Sequence, residues 1–303
     1  MNAVEIEHVT KTFGHHTAVA DLSLQVPPGT IYGFIGPNGS GKTTTLRMIM
    51  HILHPDSGNI TVLGERSLRA ANNRVGYLPE ERGLYKQMKV RDVLRFYAEL
   101  KAFRRSQAAI DSWLERMGLT DWADQKVETL SKGMSQKVQF IATVVAQPEL
   151  VILDEPFSGL DPVNAQVLRE AVLSLRREGA TVIFSTHDMA VAEKMCDFIF
   201  MIHKGRKVLD GTLEAIQETY GSDTVRVQLD GNGVSLSDLP GVMRATDFGR
   251  FQELRLTRGA DLQGVLAALI QRGKVLHFEL ARPSLADIFV RIAGVEEEEA
   301  SRA

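Results

Sequence analysis

The chain has 303 residues, of which 44% are hydrophobic and 24% are charged, and its formal net charge is −3. This length allows a large core and a second domain, because compact domains usually hold about 100 to 200 residues. The slightly negative charge gives no electrostatic reason to expect nucleic acid as a partner. Cys196 is the single cysteine, which excludes an internal disulfide, and no stretch approaches the roughly 18 apolar residues of a membrane span.

Strand-like runs alternate with amphipathic helices as far as about residue 211. This order predicts a mostly parallel sheet covered by helices. Alternating residues at 4–9, and a strand at 23–26 before a Pro-Pro-Gly turn, predict an antiparallel edge ahead of that core. Apolar stripes at 90–97 and 110–117 have helical spacing and predict a helical subdomain over about 84–148.

Residues 36–43 read Gly-Pro-Asn-Gly-Ser-Gly-Lys-Thr and fit the phosphate-binding pattern G-x-x-x-x-G-K-[ST]. An apolar strand precedes this loop and a helix follows it, so that unpaired amides and a partial positive charge point at the loop. Lys42 reaches the terminal phosphates of a bound triphosphate, and the Thr43 hydroxyl can ligate Mg²⁺. The predicted nucleotide contacts here are Gly36, Pro37, Asn38, Gly39, Ser40, Gly41, Lys42, Thr43 and Thr44.

A second motif is the apolar run at 150–153 followed by Asp154 and Glu155. A strand that ends in two carboxylates beside the phosphate loop places Asp154 where it can hold Mg²⁺. Glu155 is then the candidate general base that polarises the attacking water, a role that contributes about 10²- to 10⁴-fold in rate. The pair is a weak signal alone and a strong one together with the phosphate loop.

A third motif, Leu-Ser-Lys-Gly-Met-Ser-Gln-Lys at 130–137, opens a predicted helix shortly before the second motif. It resembles the signature motif of ATP-binding cassette (ABC) ATPases, whose commonest form is LSGGQ. The resemblance covers about residues 2–215, and it implies a P-loop NTPase fold of the ABC type. It also implies roles for four further residues: Phe13 against adenine, Asp161 in the D-loop, His187 as the switch histidine and Glu80 in the place of the Q-loop glutamine.

The resemblance implies an ATPase that works as a head-to-tail dimer with ATP and Mg²⁺ as its cofactors. Ser131, Gly133 and Met134 of one chain, with its Asp161, would cap the ATP held by the other chain. Glu155, His187 and Lys42 are the implied catalytic residues, and Thr43, Asp154 and Glu80 are the implied metal ligands. Two departures stand out: Lys132 and Met134 replace signature residues, and a carboxylate at Glu80 adds negative charge beside phosphate.

Beyond residue 211 the composition changes, and strand-like runs at 225–229, 253–257 and 275–280 flank a helical stripe at 262–270. These elements predict a small α+β accessory domain at 222–294, after a nucleotide-binding domain at 1–221. The run at 282–289 resembles the C-terminal extension of prokaryotic drug-resistance and sodium-efflux ATPases. An acidic tail at 295–303 is expected to be disordered.

The resemblance implies the ATPase subunit of an ABC exporter, held at the cytoplasmic face of a membrane by separate transmembrane permease chains. The second nucleotide-binding domain is expected to come from another copy of this chain or from a related chain. A soluble mechanical ATPase in DNA maintenance or translation is the alternative, although such relatives usually carry a coiled-coil insertion or two cassettes. A P-loop kinase does not account for the signature, D-loop and histidine together, and import remains a minor option.

Overall fold

The computed structural model describes residues 1–66, 72–81, 83–104, 106–220, 224–230, 235–257 and 259–292. The contacts divide the chain into two compact units, Met1–Thr212 and Leu213–Ala303. Within the described ranges, no helix has both the length and the apolar character needed to cross a membrane. The predicted acidic tail at 295–303 lies outside these ranges.

The first unit begins with strands β1 (Val4–Phe13) and β2 (His16–Val26), followed by β3 (Ile31–Ile35) and helix α1 (Lys42–Ile49). Strand β4 (Ser57–Val62) joins the first two strands in a three-stranded antiparallel sheet of order β2-β1-β4. This sheet is the predicted antiparallel edge, with β4 as its third strand.

A six-stranded sheet forms the centre of the first unit. It contains β3 together with β5 (Val75–Leu78), β6 (Leu150–Leu153), β7 (Thr181–Thr186), β8 (Phe198–His203) and β9 (Arg206–Gly211). Its order is β5-β6-β7-β3-β8-β9, and every neighbouring pair is parallel except β8 with β9. The mixed α/β fold with a mostly parallel core that the sequence predicts is therefore confirmed.

The helices of the first unit cover this sheet. Between β5 and β6 lie α2 (Val90–Leu100), α3 (Ser106–Arg116) and α4 (Lys132–Val144), within the stretch expected to form a helical subdomain. Helices α5 (Pro162–Arg177) and α6 (Met189–Met195) flank β7 in the chain.

Strand β6 shows why its residues are apolar throughout. Val151 and Leu153 belong to the core that includes the helical subdomain, whereas Leu150 and Ile152 belong to the core on the other face. Successive side chains of a strand point to opposite faces, so a strand covered on both sides needs apolar residues at every position.

The second unit begins with α7 (Leu213–Tyr220) and continues with β10 (Thr224–Leu229), β11 (Val242–Asp247) and β12 (Gln252–Leu256). Helix α8 (Leu262–Arg272), β13 (Val275–Ala281) and a helix over 285–292, α9, complete it. The four strands form an antiparallel sheet of order β11-β12-β10-β13. Its core packs Val225, Val227 and Leu254 against Val265 and Leu269 of α8.

Two features of the second unit differ from the sequence prediction. Strand β11 was not predicted, because its residues are half-buried or exposed and do not alternate in hydrophobicity. The boundary between the units, as the contacts define it, precedes α7, whereas the sequence analysis placed it after this helix, at 221/222.

Candidate functional site

Three neighbouring parallel strands bring the first two motifs together. Strand β7 lies between β6 and β3, so the segments that follow all three strands meet at one edge of the sheet. The phosphate loop follows β3, Asp154 and Glu155 follow β6, and His187 follows β7. Ligands of open α/β sheets bind at this carboxyl edge of the strands. The structure thus groups residues that are more than 100 positions apart in the sequence.

The backbone of the phosphate loop requires glycine at its two ends. Gly41 has φ +110°, and a Cβ added there would lie 2.5 Å from the carbonyl oxygen of Ala18. Gly36 has φ +155°, and its Cβ would meet the carbonyl oxygen of Ile202 at 2.2 Å. Both neighbours are backbone atoms that cannot rotate away. Between these glycines, Asn38 and Gly39 lie exposed at the top of the loop.

The side chain of Lys42 lies under this loop and is only 6% exposed. Its Nζ donates to the carbonyl oxygens of Gly36 at 2.7 Å and Pro37 at 3.1 Å. Burial lowers the pKa of Lys42, and the neighbouring carboxylates Glu155, Asp154 and Glu80 act in the opposite direction. The amine therefore occupies the centre of the loop, among three carboxyl groups that favour its charged form.

Asp154 is almost completely buried, at 1% exposure. Its Oδ1 accepts hydrogen bonds from the Thr43 hydroxyl at 3.3 Å and from the Ser185 hydroxyl at 2.5 Å. Its Oδ2 has no hydrogen-bond partner within the part of the chain that the structure describes. A buried carboxylate oxygen in this state is costly unless a further group binds it, so the pair Thr43 and Asp154 fits a hard cation.

The residues around Asp154 do not form a complete metal site by themselves. Across the described ranges, no group of three or more His, Cys, Asp or Glu side chains could hold a metal ion. Thr43 and Asp154 could still serve Mg²⁺, which commonly binds through one or two protein oxygens and takes its remaining ligands from phosphate and water. Glu80 is exposed after β5, close enough to influence the pKa of both Lys42 and Tyr77 electrostatically.

Glu155 is held in an unusual backbone conformation, with φ +50°. Its amide donates to the Ser185 hydroxyl at 2.9 Å, and its Oε1 lies 3.0 Å from Nδ1 of His187. The same Oε1 lies 4.0 Å from Nζ of Lys42. Residues other than glycine rarely adopt a positive φ, and such strained positions cluster at functional sites. The turn carries the Glu155 carboxylate away from Asp154 and towards the imidazole.

Phe13 lies at the end of β1 and is 47% exposed, which is unusual for a large aromatic side chain. Nζ of Lys11 lies 5.6 Å from the centre of its ring. An exposed aromatic ring can stack against the planar base of a nucleotide. A cation beside the ring attracts the phosphate chain of the same nucleotide. This geometry is compatible with the expected adenine contact.

The signature residues lie at the start of α4. The hydroxyl of Ser131 caps this helix by accepting from the Met134 amide at 3.2 Å. A Cβ added to Gly133 would lie 3.1 Å from Nδ2 of Asn164, which in turn donates to Asp161 at 2.5 Å. Asp161 caps α5, and hydrogen bonds from Asn164 lower its pKa. The structure therefore places the signature and the D-loop side by side.

Ser185 is a functional candidate that the sequence analysis did not single out. It is fully buried at the end of β7, and its hydroxyl contacts both Asp154 and the amide of Glu155. The available signal was a serine two positions before His187, directly after the apolar run 182–184 of β7. Its importance depends on the parallel pairing of Leu153 with Phe184, which a single sequence does not specify.

The comparisons with known proteins agree with this geometry. The ABC transporter family matches residues 19–158, and the C-terminal domain family of DrrA1-3-like ATP-binding proteins matches residues 211–293. The ABC transporter ATP-binding protein YhaQ of Bacillus subtilis (strain 168) is 43% identical over 291 residues, covering 95% of this chain and 98% of that protein. The daunorubicin resistance ATP-binding protein DrrA3 of Streptomyces coeruleorubidus is 32% identical, covering 96% of both chains.

A solved structure described as the ATP binding subunit of an ABC transporter has a TM-score of 0.66 and 31% identity to this chain. The match covers 72% of this chain and 93% of that structure. The resemblance inferred from the phosphate loop, the Asp154-Glu155 strand and the signature helix is confirmed. The chain is an ATPase and belongs to the family of ABC transporter ATP-binding proteins.

Proposed function

We propose that the protein is the ATP-hydrolysing subunit of a membrane exporter, peripheral to the cytoplasmic face and bound there through transmembrane permease subunits. The observation that carries this proposal is the position of Glu155, between His187 at 3.0 Å and Lys42 at 4.0 Å. Relatives that match along the whole chain support export, because their names include Nod factor export and daunorubicin resistance. The same relatives favour transport over a mechanical role in DNA maintenance or translation.

Binding of ATP would begin with an exchange of partners at Lys42. In this structure its amine bonds the carbonyl oxygens of Gly36 and Pro37, and a terminal phosphate offers charged acceptors instead. The loop amides and the N-terminus of α1 would hold the remaining phosphate oxygens. Phe13 would stack on adenine, and the bare Oδ2 of Asp154 together with Thr43 would hold Mg²⁺, which offsets phosphate charge.

Hydrolysis would depend on Glu155 as general base. Its carboxylate would accept the proton of a water that attacks the terminal phosphorus. The Ser185 hydroxyl would hold the backbone amide of Glu155 in place. The imidazole of His187, with Nδ1 3.0 Å from Oε1 of Glu155, would orient the base and contact phosphate. Lys42 would stabilise the charge that develops on the phosphoryl oxygens.

The signature residues would act on a second nucleotide-binding domain. Ser131, Gly133 and Met134 lie at the start of α4, a helix end with a partial positive charge, beside Asp161. We infer a head-to-tail dimer in which this helix end caps the ATP of the partner, formed by two copies of this chain or with a related chain. Loss of the terminal phosphate would remove a shared contact and open the dimer.

A mixing experiment tests this arrangement. Lys42→Ala disables the phosphate loop and Gly133→Arg disables the signature, so each homodimer has no complete site. In a mixed dimer one composite site keeps both intact halves, so an equimolar mixture should recover up to about a quarter of the wild-type ATP hydrolysis. No recovery, with mixed dimers shown to form, would contradict the head-to-tail homodimer. Thr219→Ala, at an exposed position of α7, serves as the matched control.

A second experiment addresses transport. Reconstitution with its permease should stimulate phosphate release by the wild-type chain, and Glu155→Gln should remove the stimulated rate. An unchanged rate with every permease tested would argue for a function outside the membrane.

A further inference from the structure

The second unit contains a cavity that the proposed ATPase function does not use. The cavity has a volume of about 440 Å³. It is lined by the sheet face opposite α8 and by residues of the segment 281–291. Five arginines line it, against two carboxylates, Glu253 and Asp287. The arginines are Arg226, Arg244, Arg255, Arg282 and Arg291.

Antiparallel pairing concentrates this positive charge. Arg244 on β11 lies directly opposite Arg255 on β12, and Arg255 lies opposite Thr224 on β10. Directly paired residues share a face of the sheet, so both guanidinium groups face the cavity side. Like charges placed directly opposite each other destabilise a sheet, unless a counter-charge lies between them.

The two carboxylates that line the cavity already have partners. Glu253 accepts from Arg226 at 2.8 Å, and Asp287 accepts from the amide of Ser284 at the start of α9. The side chains of Arg244 and Arg282, in contrast, form no hydrogen bond or ion pair with any residue that the structure describes. Two guanidinium groups in the wall of the cavity therefore have their full set of donors available for an anion.

One side of the cavity is aromatic. Phe248 and Phe251 stack with ring centres 5.2 Å apart, and the guanidinium of Arg226 lies 4.7 Å from the ring centre of Phe251. Phe248 is 55% exposed even though it lines the cavity. An exposed ring next to guanidinium groups suits a ligand that combines an anion with a planar apolar part.

We propose that this cavity binds a small organic phosphate that carries a planar ring, the chemical class of mononucleotides, at a site separate from the phosphate loop. Arg244 and Arg282 would hold the phosphate through the paired donors that match phosphate oxygens. Phe248 would cover the ring. At about 440 Å³, the cavity has room for a ring beside the phosphate.

Titration calorimetry on the full chain tests the proposal, with adenosine monophosphate and inorganic phosphate as probes. The double variant Arg244→Gln/Arg282→Gln is compared with wild type and with Arg250→Gln, an exposed arginine of the same unit outside the cavity. Any binding to the phosphate loop is common to all three chains and cancels. We expect adenosine monophosphate to bind the double variant at least about 10-fold more weakly than the other two chains, since charge-assisted hydrogen bonds are lost.

Two further variants separate a binding site from a general effect on folding. Arg244→Lys/Arg282→Lys keeps the charge but loses the paired donors, and it should give an intermediate affinity. Phe248→Ala should weaken adenosine monophosphate and leave inorganic phosphate unchanged. A circular dichroism spectrum and thermal unfolding curve like those of wild type, measured for every variant, show that the chain is folded.

Flotation with phosphatidylglycerol vesicles distinguishes a free ligand from a lipid headgroup. Equal affinity of all chains for both soluble probes would overturn the proposal. Retention on vesicles that depends on Arg244 and Arg282, without binding of either soluble probe, would also contradict it and would assign the same phosphate chemistry to lipid.

Discussion

The two units of this protein each collect charged side chains at a sheet, but they do so in different ways. In the first unit the site depends on the backbone: Gly36 and Gly41 touch neighbouring carbonyl groups, and Glu155 has a positive φ. In the second unit the cavity depends on long side chains from separate strands, such as Arg244 and Arg282. A site built from backbone tolerates few substitutions, whereas a site built from side chains can be changed one residue at a time.

The charges also differ in their surroundings. Lys42 and Asp154 are buried and have partners inside the protein, so the first site is organised before any ligand arrives. The arginines of the second unit line an open cavity, and two of them have no partner among the described residues. Preorganisation of this kind suits catalysis, and the open arrangement suits reversible binding.

The largest effect should come from the backbone of the phosphate loop. Gly41→Ala adds a Cβ 2.5 Å from the Ala18 carbonyl oxygen at φ +110°, and the loop must move to relieve the contact. We expect ATP affinity to fall by at least about 100-fold, in line with about 1 to 3 kcal/mol of strain plus lost phosphate contacts. Equilibrium binding of a fluorescent ATP analogue measures this.

Gly39→Ala is the matched control, because it has a positive φ in the same loop but open space around its Cβ. It should lose clearly less affinity than Gly41→Ala. Equal losses would show that φ alone, and not the approach of the Ala18 backbone, sets the requirement for glycine.

A smaller effect is expected at Ser185, whose hydroxyl contacts the proposed metal ligand Asp154 and the amide of the proposed base Glu155. Ser185→Ala removes hydrogen bonds to Asp154 and to the amide of Glu155, so the turnover number should fall by about 10- to 100-fold with little change in KM. Ser174→Ala, on α5, removes a serine hydroxyl outside the site and is the control. Full activity of Ser185→Ala would show that the Glu155 turn keeps its geometry unaided.

Phe13 should matter for affinity more than for rate. Stacking of a base on an aromatic ring is worth about 1 to 3 kcal/mol, so Phe13→Ala should weaken ATP by about 5- to 150-fold. The exposed Ile52 of the same unit provides the control variant, Ile52→Ala. Measurement of KM and turnover for ATP in both variants checks the effect. An unchanged KM in Phe13→Ala would remove the ring from the adenine site.

The smallest effect should come from exposed ion pairs. Glu149 accepts from Nε of Arg74 at 2.6 Å, and this hydrogen bond lowers its pKa from the usual 4.5. Both side chains are largely exposed, so Glu149→Gln should cost less than about 1 kcal/mol of unfolding free energy at neutral pH. A lowered carboxylate pKa stabilises the fold above the unfolded pKa, and the contribution is lost as the pH falls through the folded pKa.

Urea unfolding of wild type and Glu149→Gln at neutral pH and at about pH 3 measures this difference. The two curves should separate slightly at neutral pH and converge in acid. A difference that grows in acid would contradict the sign of the pKa shift.

The sequence alone was enough to propose the first site, because the motifs that define it are local. The residues that define the phosphate loop at 36–43 are neighbours in the sequence. The apolar run before Asp154 likewise predicts a strand without information from the rest of the chain. The pairing order of the strands was not readable, so the contacts of Ser185 with Asp154 and Glu155 emerged only from the fold. The confirmed resemblance supplied the order of the remaining motifs.

The second unit was harder to predict because its cavity has no local motif. Arg244 lies on β11, whose half-exposed residues show no alternation, and the sequence analysis left this strand out. Arg244 lies opposite Arg255 because of the register between β11 and β12. This register shifts between Val242 and Arg244. A single sequence holds no signal for such a register.

A single-turnover measurement shows whether the first unit hydrolyses ATP through Glu155. Phosphate formation from bound ATP with Mg²⁺ is followed for Glu155→Gln and for Glu149→Gln, which has the same substitution at the opposite end of β6. We expect the rate in Glu155→Gln to be at least about 100-fold lower than in wild type, with unchanged ATP affinity. Glu149→Gln should form phosphate at the wild-type rate. A Glu155→Gln rate within a few-fold of wild type would contradict it.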